Sequence, residues 1–72
     1  MNNDFEKNPL WSILTEVVHC LPIYRSHKSY VKNIILPKEQ SITPKELSER
    51  IGMPLGEAIV ILSELKNENI EF

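Results

Sequence analysis

Apolar side chains recur along this chain with a helical period. Leu10, Trp11, Ile13, Leu14, Val17, Val18 and Leu21 follow the i, i+3, i+4, i+7 rhythm of an amphipathic helix. Asn8-Pro9 supplies a capping residue followed by a proline whose missing N–H costs nothing at a helix start, and Pro22 ends the run. Trp11 is expected to anchor the core. Near the C-terminal end, Leu47 and Ile51 stand four apart, and Leu55, Ala58, Ile59, Ile61, Leu62 and Leu65 predict a helix over about residues 55–67. Residues 30–36 read two ways. The spacing of Tyr30, Val31, Ile34 and Ile35 fits a short helix, their β-branched content fits a strand, and the helix is favoured, stopping before Pro37. Residues 23–29 read as a basic loop, 37–41 as a connector with Ile42 extended after it, and 1–7 as a flexible polar tail ahead of a single domain, 8–72.

The junction between the last two helices carries the sharpest local signal. Thr43 can cap the first of them, Pro44 occupies its first position, and Glu46 lies three residues after the cap, which makes a capping box. Gly52 can take the left-handed conformation that closes this helix, and the next begins at once from Pro54. The unit, about residues 42–70, resembles the helix-turn-helix of the winged-helix superfamily. The resemblance implies a mostly α, three- to four-helix domain with little or no sheet, in which the second helix of the motif reads DNA. The expected departure from the pattern is a missing wing: residues 68–70 stand where a first wing strand would begin, and no wing hairpin is expected in the two residues that follow.

The second departure lies on the outer face of the last helix. At about 100° per residue, Ala58, Ile61, Leu62 and Leu65 form its core face, and Glu57, Glu64 and Glu68 form an acidic stripe expected to face solvent. A third arc holds Leu55, Gly56, Ile59, Val60, Ser63, Lys66 and Asn67. Its early part, where bases would be read, offers Pro54, Leu55, Gly56, Ile59 and Val60, none with a side-chain hydrogen-bond donor. Such an arc is poorly built for DNA. Leu55, Ile59 and Val60 are therefore the candidate protein-interaction residues, unless residues 30–36 fold over them and enlarge an ordinary core.

Charge sharpens the contrast. The net charge of −2 is unlike that of most nucleic-acid-binding modules, yet residues 22–38 carry +4 and residues 39–72 carry −4. The candidate nucleic-acid contacts are Arg25, Lys28, Lys32 and Lys45, with Tyr24 and Tyr30 available to stack; the bland reading makes the segment a solvated loop with its tyrosine rings turned inward. His19-Cys20 is a weak pairing, because adjacent helical side chains diverge and two His with one Cys are too few for a typical metal site; Cys20 is expected to be a small, partly buried apolar residue. Glu46 and Arg50 are spaced for a surface ion pair. No phosphate-binding glycine loop, no apolar run of membrane-spanning length and no signal-peptide pattern is present. The expectation is a cytoplasmic, non-enzymatic module without cofactor, metal or small-molecule substrate. It binds a protein partner or a second copy of itself, in transcription or other information processing, and the alternative is a DNA-binding transcription regulator.

Overall fold

A computed structural model describes residues 4–69, with side chains from Glu6 to Glu68. The described residues form a mostly helical domain without strands: α1 (Asp4–Lys7), α2 (Trp11–His19), α3 (Tyr24–Tyr30) running directly into a π-helical segment (Val31–Ile35), α4 (Pro44–Ile51) and α5 (Leu55–Asn69). Of the expected flexible tail, residues 4–7 form the helical turn α1, and residues 1–3 lie outside the described residues. Ile70, the end of the expected wing position, also lies outside them.

The helix starts follow from local chemistry. Asn8 receives the Leu10 N–H on its side-chain oxygen at 2.8 Å and the Trp11 N–H on its carbonyl at 2.9 Å, which launches α2 two residues later than the Asn8-Pro9 pair implies. Thr43 caps α4 as expected: its hydroxyl accepts from the Glu46 N–H at 3.1 Å, and the Glu46 carboxylate accepts from the Thr43 N–H at 3.0 Å. Gly52 closes α4 at φ 82°, where a side chain would clash with its own backbone. The Ser48 hydroxyl then donates to the Met53 carbonyl at 2.6 Å and ties the turn back onto α4.

Residues 23–29 are not a loop. Ile23 caps α3, residues 24–29 belong to it, and the helix continues through residues 30–35, so the helical reading of that stretch holds and the strand reading does not. The five-residue spacing of the Leu36 N–H to Val31 carbonyl bond, 2.9 Å, widens the last turn before Pro37. The sequence concealed α3 because its inward positions, Tyr24, His27, Lys28 and Val31, keep helical spacing but are mostly polar.

The core gathers Val18, Tyr24, Val31, Ile35, Ile42, Leu47 and Met53 around the buried side chains of α5. Trp11 packs against this cluster while only partly buried. Helix α5 is the hub: Glu57, Ala58, Val60, Ile61, Leu62, Ser63 and Leu65 are all buried, an arc of roughly 260° at 100° per residue. A helix enclosed this far is a core element rather than a surface one.

Candidate interaction surface

The acidic stripe of α5 is only partly open to solvent, because α3 side chains reach it: Glu57 is buried and Glu64 half-buried, while Glu68 is exposed. Glu57 is 1% exposed, and its Oε2 accepts from His27 Nδ1 at 2.7 Å, while Oε1 is buried without a partner. Glu64 accepts from the Tyr24 hydroxyl and, at 2.6 Å, from His19 Nε2 at the end of α2. Lys28 lies 2.8 Å from Glu68 and 3.5 Å from Glu64. His27 and Lys28 of the basic segment and the acidic stripe thus meet in one intramolecular seam, while Arg25 and Lys32 point away from it.

Electrostatics within the seam follow from these contacts. Burial alone would raise the Glu64 carboxyl, but hydrogen bonds from Tyr24 and His19 and the Lys28 charge hold it below its ordinary value. Burial and the Glu64 carboxylate together push the Tyr24 phenol up. Burial would lower Lys28, yet its hydrogen bond to Glu68 and the Glu64 charge raise it.

Residues singled out from the sequence are distributed unevenly. Among the protein-interaction residues, Leu55 is 51% exposed and Ile59 half-buried, but Val60 is fully buried and belongs to the core. Val31 and Ile35 of the 30–36 segment share the buried cluster with Val60, while Leu55 stays open to water. Helices α1 and α2 shield its Gly56 and Ser63 side: a Cβ at Gly56 would sit 3.0 Å from Leu14 Cδ1, and the Ser63 hydroxyl donates to Glu6 on α1. Among the nucleic-acid candidates, Lys28 is held in the seam, whereas Arg25, Lys32 and Lys45 are exposed. Lys45 lies on α4, apart in sequence from Arg25, Lys28 and Lys32.

Two smaller expectations are corrected. Arg50 pairs with Glu39 of the connector rather than with Glu46, whose carboxylate is occupied by the Thr43 cap. Cys20 is exposed rather than partly buried, because it falls on the outward line of α2. His19 is engaged by Glu64, and among the described residues no group of three or more His, Cys, Asp and Glu side chains is placed to hold a metal ion.

That outward line is the surface the sequence reading missed. Trp11, Leu14, Val18 and Leu21 turn towards the core, while Leu10, Ile13 and Val17, each one residue earlier, are 64%, 56% and 55% exposed. The signal was present, since seven apolar residues within positions 10–21 exceed what one buried face of a short helix can hold. Three exposed aliphatic side chains at i, i+3 and i+7, the first on the residue that caps α2 and the other two within it, form a contiguous strip rather than scattered surface residues. Comparison of the chain with protein-family models, with curated proteins and with solved structures gave no match.

Proposed function

We propose that this chain is a small non-enzymatic binding module that associates with a second copy of itself through the Leu10, Ile13 and Val17 strip of α2. The exposure of that strip is the observation that carries the reading. A two-fold contact needs a patch complementary to itself, and a purely aliphatic strip meets that condition without any charge pattern. On this reading the α4–turn–α5 unit serves, as its resemblance to helix-turn-helix proteins allows, as a scaffold rather than a reader of bases. Enclosure of α5 and capture of Lys28 by Glu64 and Glu68 both weigh against the DNA alternative.

The contact is small. One face of a nine-residue helix, about 14 Å long, presents a narrow strip rather than the roughly 800 Å² per partner of a standard interface, so the association is weak and reversible. Sedimentation equilibrium across a concentration series tests it. Self-association is expected in the high-micromolar range and is abolished by Ile13→Asp with the far-ultraviolet circular dichroism unchanged. A strict monomer at millimolar concentration sinks the proposal.

A further inference from the structure

The large apolar side chains left exposed among the described residues come from three helices, and the contacts of those helices turn all of them towards one end of the domain. Helix α2 meets α5 at two places. Leu14 lies against Gly56 in the first turn of α5, and His19 bonds to Glu64 about two turns later. At about 100° per residue, Leu10, Ile13 and Val17 stand within about 100° of Leu14 and well away from His19. The α2 strip is therefore on the flank turned towards the start of α5.

Helix α3 is oriented by the seam in the same way. His27 bonds to Glu57 in the first turn of α5, whereas Lys28 pairs with Glu64 and Glu68 further along it. Ile23, Tyr30 and Ile34, at i, i+7 and i+11, stand within about 60° of His27 and on the opposite flank from Lys28. They form a second exposed apolar stripe, on the flank of α3 that also faces the start of α5. Leu55, the half-exposed first residue of α5, is at that end itself. The α2 strip is thus one part of an apolar end that three helices build together.

We infer that a second copy of this chain covers this whole end, so that Leu55 and the α3 stripe join the α2 strip in the self-association interface. The inference rests on the self-association proposed above and carries it beyond α2. Continuity selects the occupant: a copy seated on the α2 strip lies against the start of α5, and the neighbouring apolar side chains leave water in the same step. Charge agrees with this choice. His27 and Glu57, the ionisable groups between the α3 stripe and α5, are bonded to each other, and Lys28 is held on the opposite flank of α3. Two like ends can therefore meet without bringing like charges together.

Sedimentation equilibrium of the full chain tests it, with circular dichroism confirming the fold of each variant. Leu55→Asp, an acid that the first turn of a helix tolerates, and Ile34→Asp, at an exposed position, are each expected to raise the dissociation constant about tenfold. Lys32→Ser, on the opposite flank of α3, leaves it unchanged. In the native chain, the methyl resonances of Leu55 and Ile34 broaden with rising concentration together with those of Ile13 and Val17, while Leu36 stays sharp. If Ile13→Asp abolishes association but Leu55→Asp and Ile34→Asp do not weaken it, this inference falls and the α2 strip alone stands. A native chain that stays monomeric at millimolar concentration overturns both. Adsorption of a strictly monomeric chain to neutral phosphatidylcholine vesicles would assign this end to a lipid surface and overturn the inference as well.

Discussion

Helix α5 is held on two sides by two different kinds of contact. Towards α4 and the connector the contact is aliphatic: Leu47, Ile42 and Met53 are buried with Ala58, Ile61, Leu62 and Leu65. Towards α3 it is largely polar: His27, Lys28 and Tyr24 reach Glu57, Glu64 and Glu68. The aliphatic side is non-directional and gains from every square ångström removed from water. The polar side gains little net energy, since desolvating Glu57 offsets much of its attraction to His27, but it defines one register. Slide α3 by one residue along α5 and Glu57 loses its partner while remaining buried. This domain thus uses apolar burial for stability and a polar seam to specify where its third helix sits.

The largest test of that division falls on the aliphatic side. Leu47→Ala removes a fully buried side chain and is expected to cost about 3 kcal/mol, a large part of the stability open to a domain of this size. The loss, read by urea denaturation, should be the same at low and high salt. On the polar side, His27→Ala leaves both oxygens of buried Glu57 unpartnered and should cost about 2 kcal/mol, since water still reaches the half-buried histidine site. Replacing both partners with leucine removes the stranded charge and should return most of that loss. If the double variant is no more stable than His27→Ala alone, the pair is not the unit described here.

The sequence made one half of this comparison readable and obscured the other. The α4 cap, the Gly52 turn and the core face of α5 followed from capping chemistry and apolar periodicity, and the structure places them as expected. Helix α3 was hidden because His27 and Lys28, which stand with Tyr24 on its inner side, count as surface residues in an apolar pattern, and only their partners on α5 make that side an inner one. For the same reason Glu57 was assigned to solvent: a carboxylate is not expected inside unless a donor 30 residues earlier is known to meet it. The candidate surface moved for a related cause. Val60 lost its place to the core, while the α2 strip emerged because helix geometry divides one apolar run between an inner and an outer face. Periodicity identifies faces, but pairing between distant segments decides which of them water reaches.

The smallest predicted effect comes from pH, and it separates the two sides of α5 without touching the core. The Glu64 carboxyl is held below its ordinary 4.5 in the folded state, so its contribution is fully present above that value and is lost as pH falls through the depressed folded value. Tyr24 and Lys28 are raised above their ordinary 10.0 and 10.5, so their contributions are present below those values and fade as pH rises through the higher folded ones. The stability difference between the native chain and Glu64→Gln should therefore be level near neutrality and close in acid. In a Tyr24→Phe background the part of that difference that depends on the phenol should vanish, because its hydroxyl donates directly to Glu64. Leu47→Ala should show no such narrowing at either end of the range. An equal pH dependence for Leu47→Ala and Glu64→Gln would mean that the seam and the core unfold as one electrostatic unit, and the distinction between the two faces of α5 would be lost.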